Sequence, residues 1–239
     1  MTRAVITFHS IDSSGSVLSF TQASLARLLA ALRRDQVPIV SFQELCRIPR
    51  GATLMFDDGI GTILNNALPV LRSFAAPGHL FVVSNYVGTN NRWPSQPRHV
   101  ATLPLLSWDE LAACQSAGLT IESHTANHPD LRQLSDAAVH DEIEQSNAAI
   151  TQRLGVRPTL FAYPYGLRDQ RVAAIVRSRY AAAFTTQLDY LPATLDPASV
   201  PRLDSYYLRS APWIERPLAT ATKGYLRLRS LLRRLRGSE

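Results

Sequence analysis

Short apolar runs alternate with amphipathic stretches along most of the chain, and the alternation predicts strands and helices in turn. Val5-Ile6-Thr7-Phe8 reads as a first strand that ends at His9 and a polar loop through Asp12 and Gly15. Ser19 and Gln22 form a capping-box pattern ahead of an apolar stripe at Leu25, Leu28, Leu29 and Leu32, which predicts a helix. A short strand is expected over 37–40 and another over 53–56, where Leu54-Met55-Phe56 switches abruptly to Asp57-Asp58-Gly59. Residues 63–74 are helical in pattern despite Pro69, and Pro77-Gly78 closes them.

The second half repeats the scheme. A strand over 80–83 leads into a loop over 86–104 that contains Trp93, Pro94 and Pro97, and a loop of that length is expected to line a functional rim. Ser107 with Glu110 opens a helix that stops at Gly118, and a strand over 119–122 feeds Ser123-His124-Thr125-Ala126-Asn127-His128. Ser135 caps a long helix carrying Val139, Ile143 and Ile150, closed by Gly155. Then come a strand over 159–162, a break at Tyr163-Pro164-Tyr165-Gly166, a helix over 170–178, and strands over 182–185 and 199–203. Such alternation implies an α/β fold of parallel strands joined by right-handed crossovers. Sites in these folds gather where strands end, and His9, Asp57-Asp58, His124, His128 and residues 163–166 all follow predicted strands.

Composition narrows the picture. A chain of 239 residues, 46% hydrophobic, suits one domain with a full core and a short appendage, divided here as 1–205 and 206–239. No apolar run reaches the ~20 residues of a membrane-spanning helix. The N-terminus has no secretory pattern, which predicts a cytoplasmic protein. Cys46 and Cys114 offer neither a disulfide framework nor a thiolate metal site. Eight of the 25 basic residues and two of the 19 acidic ones lie from Tyr206 onward, so that segment carries the whole net charge of +6. From Tyr225, Leu228, Leu231, Leu232 and Leu235 share a helical face, with Arg227, Arg229, Arg233, Arg234 and Arg236 around the rest. A basic amphipathic helix of this kind either lies on an anionic membrane, here at its inner face, or docks its leucines on the body. The body itself is neutral and carries no recognition motif, so nucleic acid is not an expected partner.

The candidate chemistry sits in two places. Adjacent carboxylates repel, and a pair held together implies a shared proton or a bound cation, although Asp57-Asp58 alone would also serve as a helix cap before Gly59. His124 and His128, four residues apart on a helix or short loop, supply two nitrogens. One Asp oxygen and two His nitrogens make a three-ligand set with a position open for water.

Phe56-Asp57-Asp58-Gly59, Ser123-His124-Thr125-x-x-His128 and Phe161-Ala162-Tyr163-Pro164-Tyr165-Gly166 resemble, in order and spacing, the first three motifs of the polysaccharide deacetylases of carbohydrate esterase family 4, the NodB-homology group. The resemblance covers roughly residues 3–203. It implies a distorted (β/α)7-type barrel and hydrolysis of the acetamide of an N-acetylated amino sugar in a polysaccharide, oligosaccharide or lipid-linked precursor. It also implies Asp58, His124 and His128 as ligands of a divalent metal, most readily Zn2+, with Ni2+, Co2+, Fe2+ or Mn2+ compatible with the same donors. Asp57 would be the catalytic base, and the backbone N–H of Tyr165 an oxyanion donor, since Pro164 has none.

The chain also departs from the family pattern. No His follows His140 to serve as the late general acid, and Ala162 stands where the third motif carries an Arg. The poly-N-acetylglucosamine deacetylase branch uses an early His after the first strand, a position that His9 matches, and Arg202 of Pro201-Arg202-Leu203 is expected to orient Asp57 in place of the missing Arg. Two alternatives follow from the same departures: a catalytically silent carbohydrate-binding barrel, or a hydrolase of a different amide. Trp93 and Trp108 are candidates for stacking on a sugar, whereas His79, His99 and His140 receive no role.

Overall fold

A computed structural model describes residues 2–235; Met1 and Arg236, the last counted in the basic tail, lie outside the described residues with the three residues that follow. Among the described residues nine strands are formed: β1 (Thr2–Phe8), β2 (Ser10–Ile11), β3 (Ser19–Phe20), β4 (Arg50–Phe56), β5 (Gly78–Val82), β6 (Leu119–Ser123), β7 (Leu160–Ala162), β8 (Ala182–Leu188) and β9 (Val200–Asp204). Seven of them close a parallel barrel in the order β1-β4-β5-β6-β7-β8-β9, and β2 pairs with β3 outside it. The helices are α1 (Gln22–Arg34), α2 (Phe42–Leu45), α3 (Leu68–Ser73), α4 (Trp108–Ser116), α5 (Asp136–Leu154), α6 (Gln170–Arg177), α7 (Ala211–Glu215) and α8 (Thr220–Leu235). This is the (β/α)7-type barrel expected from the motifs.

The pleat decides which side chains reach the site. Val5, Met55, Phe81, Ala162, Phe184 and Val200 form one buried cluster, whereas their neighbours Ile6, Leu54, Leu80 and Leu203 belong to another that includes Leu25 and Leu28 of α1. Successive side chains on a strand point to opposite faces, so the first set fills the lumen and the second packs under the helices. Stepping by two from the lumen residues reaches His9, Asp57 and Arg202, and a step from Glu122 reaches His124.

One seam of the barrel is held by a side chain. β6 and β7 share a single register pair, Ser123↔Phe161. Buried Glu122 spans the gap: its Oε2 accepts from the N–H of Thr159 (2.8 Å) and Leu160 (2.9 Å). Its Oε1 faces His79 Nδ1 at 3.4 Å, while His79 Nε2 accepts from the N–H of Phe42 at 3.1 Å. Backbone donors that would otherwise be stranded in the core are thereby satisfied.

Two expectations need correction and two gain detail. Residues 37–40 form no strand; Ile39 makes one bridge to Ala52, because Pro38 has no N–H and offers only its carbonyl to the Ala52 N–H (2.9 Å). Ser19 lies in β3, and Thr21 caps α1 by accepting from the Ser24 N–H. The stretch 63–74 divides into a π-helical turn (Ile63–Ala67) and α3, where Pro69 occupies the first turn, the one place its missing N–H costs nothing. Of the leucines in the C-terminal stripe, whose partner the sequence left open, Leu228, Leu231 and Leu235 are 55%, 54% and 75% exposed, Leu232 is half-buried, and Leu226 beside them is buried. Among the described residues, no helix is long and apolar enough to cross a membrane.

Candidate active site

Every site residue named from the sequence converges on one pocket of about 150 Å3, lined by His9, Asp57, Asp58, His124, His128, Tyr165 and Arg202 among others. Asp57 and Asp58 leave the end of β4, where Asp58 and Gly59 take φ of 71° and 72° to turn the chain sharply. His124 follows β6, and the segment to His128 is a loop, not a helix; Thr125 and His128 are both left-handed, at φ 70° and 57°. Tyr165 is left-handed as well, at φ 58°. Among the described residues, four of the six non-glycine positive φ angles thus lie at the site, each a strain of order 1 kcal/mol that the surroundings must hold.

The surroundings do so with few residues. Glu142 of α5 accepts from the N–H of Ala126 and Asn127, at 3.0 and 2.9 Å, and from the Asn127 side chain at 2.7 Å, clamping the His loop. Ser95 donates to the carbonyl of His128 (2.7 Å) and accepts from the Tyr165 hydroxyl (2.9 Å). Trp93 donates its indole N–H to the same hydroxyl at 3.0 Å and lays its ring 4.3 Å from that of His128. Trp93 is 2% exposed, so it supports the ligand loop and offers no open face to a sugar; Trp108 packs against the core. Glu142 and Ser95 carry no signal in the sequence beyond their polarity.

Asp58 Oδ1 lies 3.5 and 3.7 Å from Nε2 of His124 and His128, and the two nitrogens are 3.2 Å apart. Ligand atoms around a tetrahedral ion at about 2.1 Å sit about 3.4 Å apart, so the spacing fits a small divalent cation. His124 Nδ1 donates to the carbonyl of Ala162 at 2.7 Å, which fixes the tautomer that leaves Nε2 as a lone pair facing Asp58. Burial, reinforced by His124, pushes the imidazolium pKa of His128 down to about 3, so that ring is neutral. Burial alone would raise the Asp58 carboxyl, but the surrounding imidazoles of His124, His9 and His128 hold it well below the usual carboxylate range. The three donor atoms therefore converge on one point, as a divalent cation requires.

Asp57 has a different environment. Arg202 grips it with both arms of its guanidinium, Nη1 to Oδ1 at 2.9 Å and Nη2 to Oδ2 at 2.8 Å, while its Nε donates to the carbonyl of Thr185. Burial raises the Asp57 carboxyl and the Arg202 charge outweighs it, so the group stays ionised. His9 Nε2 stands 4.0 Å from Asp57 Oδ2 on the more open side of the pocket. In the turn after β7, hydrogen bonds run from Gly166 N–H to Tyr163 and from Leu167 N–H to Pro164, leaving the Tyr165 N–H outside them.

Residues 46–182 match the family model described as polysaccharide deacetylase. The chain belongs to the polysaccharide deacetylase family. Within the family, it is 27% identical over 175 residues to a poly-β-1,6-N-acetyl-D-glucosamine N-deacetylase of Staphylococcus epidermidis, a match covering 69% of this chain and 58% of the relative. A Staphylococcus aureus enzyme of the same description is 25% identical over 169 residues, 66% of this chain and 53% of that one. The chain thus spans little more than half the length of these curated relatives. Among solved structures, IcaB from Ammonifex degensii superposes with a TM-score of 0.73 at 23% identity, over 90% of this chain and 97% of that one. The Streptococcus pyogenes deacetylase PplD, solved with acetate, gives a TM-score of 0.73 at 19% identity, over 85% and 92% of the two chains. These two likenesses are of fold.

Proposed function

We propose that the protein is a metal-dependent N-deacetylase that removes acetate from an N-acetylated amino sugar of a glycan, with poly-β-1,6-linked N-acetylglucosamine as the first substrate to try. The observation that carries this reading is the pairing of a convergent Asp58–His124–His128 donor set with an ionised, Arg202-held Asp57 in one small pocket. Asp58, His124 and His128 would hold the cation, for which zinc is the first candidate. Bound there, a divalent cation supplies Lewis acidity to the acetamide carbonyl and to a water molecule.

This chain's own groups account for the proton movements. Asp57, fixed by Arg202, takes a proton as a water oxygen bonds to the acetamide carbon. The Tyr165 N–H, left outside the turn's hydrogen bonds, donates to the carbonyl oxygen as it gains charge. His9, beside Asp57 in the same pocket, gives a proton to the sugar nitrogen as the C–N bond breaks, releasing acetate and the free amine. Peripheral contact with an anionic membrane belongs to the same reading, supported by exposed Leu228, Leu231 and Leu235 on a basic helix.

The test is acetate release from N-acetylglucosamine oligomers by the zinc-loaded protein. Activity is expected, with Asp57→Asn and His9→Ala each lowering kcat by about a hundredfold or more. An unchanged rate in His9→Ala would remove the acid assignment alone. No acetate from any N-acetylated glycan, with zinc bound, would overturn the reading in favour of another amide or a silent binding barrel.

A further inference from the structure

β8 breaks its ladder beside the catalytic pocket. Phe184 pairs with Val200 and Leu188 with Arg202, so four steps along β8 answer two along β9, and Thr185, Thr186 and Gln187 form a bulge. Bulges next to a site re-aim the groups they carry. Here the Thr185 carbonyl accepts from Arg202 Nε at 3.0 Å, on the same guanidinium that grips Asp57. The next residue, half-buried Thr186, lines the pocket and donates its Oγ1 to the carbonyl of Tyr165 at 3.3 Å, in the turn after β7.

That turn holds its strained residue through the peptides on either side. Tyr165 has φ 58° and ψ 6°, a left-handed conformation that a tyrosine adopts only when held there. The peptide after it is fixed at both ends: the Gly166 N–H donates to the Tyr163 carbonyl at 2.8 Å, and the Tyr165 carbonyl accepts from Thr186. The peptide before it is fixed at its oxygen, where Pro164 accepts from the Leu167 N–H at 3.0 Å. Relaxing Tyr165 means rotating one of these planes against the other, and the Thr186 bond opposes that rotation. The packing is close as well, because a Cβ on Gly166 would overlap the N and Oγ1 of Thr186, so the position admits glycine alone. Trp93 and Ser95 reach only the phenolic hydroxyl of Tyr165, at the far end of a rotatable side chain, and leave its peptide free.

We propose that Thr186 is a positioning residue for the reaction: its hydroxyl locks left-handed Tyr165 so that the Tyr165 N–H meets the acetamide oxygen as that oxygen gains charge. The inference rests on the deacetylase reading and deepens it, adding a residue that lies outside all three sequence motifs. One bulge then sets both the base, through Thr185 and Arg202, and the oxyanion donor, through Thr186 and Tyr165.

The experiment uses the intact, zinc-loaded protein with N-acetylglucosamine oligomers. Thr186→Val keeps the shape of the side chain without its hydroxyl, and Thr186→Ser keeps the hydroxyl. In Thr186→Val, kcat should fall about tenfold with KM nearly unchanged, and Thr186→Ser should recover most of the loss. An interaction made with the developing oxyanion and not with the bound substrate leaves this signature. A loss confined to KM would make Thr186 a direct sugar contact and overturn the proposal, as would an unchanged kcat in Thr186→Val or a loss that Thr186→Ser fails to recover. A second readout needs no turnover. Acetate presents the oxygen end of the substrate without the sugar, and it should shift the backbone amide NMR resonance of Tyr165 in the parent and in Thr186→Ser but not in Thr186→Val. That pattern with no acetate released from any sugar would keep the hold of Thr186 on Tyr165 and remove the deacetylase. A Tyr165 amide that ignores acetate in the parent would overturn the proposal by removing the donor it depends on. Zinc affinity, read by competition with a chelating dye, should match in all three proteins; a loss in Thr186→Val would mean that the bulge acts on the metal ligands and would overturn it too.

Discussion

Arg202 meets Asp57 from the far end of the barrel sequence, on β9, and the two are almost wholly buried. A buried pair of this kind contributes little when intact and costs a great deal when one partner is lost, because the survivor keeps its charge in a medium that cannot solvate it. Arg202→Met should therefore destabilise the protein by about 3 kcal/mol in urea titration. Adding Asp57→Asn to Arg202→Met should recover part of that loss, although the double variant releases no acetate. If Arg202→Met were as stable as the parent, the pair would not carry the charge balance assigned to it. At this scale the sequence was most readable where chemistry is local. Asp57-Asp58 and the two histidines announce themselves by spacing, because ligands of one ion must lie close. Trp93, Ser95 and Glu142 do not, because they act through loop shape, across gaps in sequence that only the folded barrel closes.

Among the elements, the loop from β6 to His128 shows what propensity alone misses. Its two left-handed residues, Thr125 and His128, are neither Gly nor Asn, so nothing local announces the turn; Glu142 on α5 imposes it through three hydrogen bonds. Glu142→Ala should leave the barrel folded and let the loop relax, weakening zinc binding by about tenfold in competition with a chelating dye. An unchanged zinc affinity would show that His124 and His128 are positioned without it. The β6–β7 seam gives a parallel case. Glu122→Leu leaves the N–H groups of Thr159 and Leu160 without their acceptor and should cost about 2–4 kcal/mol, read from the urea midpoint. The same logic explains the elements misread from sequence. A pattern over 37–40 looks like a strand, and whether it becomes one depends on a free edge and an available N–H, which Pro38 lacks.

The whole molecule raises the question of what the C-terminal segment contributes. Alternation and motif order made the barrel legible from residue 3 to residue 203, since each strand ends in a recognisable turn. The segment from Tyr206 was legible only as charge and leucine periodicity, and periodicity does not say which face of a helix finds a partner. In the structure, Ile214 and Leu226 are each 1% exposed within the main core cluster, Trp213 stacks on Tyr225 at 4.3 Å, and Glu215 pairs with Arg27 of α1. Leu226→Ala removes a buried side chain from this junction and should cost about 2–4 kcal/mol if α8 folds cooperatively with the barrel. Leu231→Ala, on the exposed stripe, should stay within about 0.5 kcal/mol of the parent. The two urea midpoints thus separate a helix that belongs to the core from one that merely follows it. A loss below about 1 kcal/mol for Leu226→Ala would mean that α8 detaches before the barrel unfolds. The groove beside His9, which α8 helps to wall, would then be a surface that assembles only in part of the population.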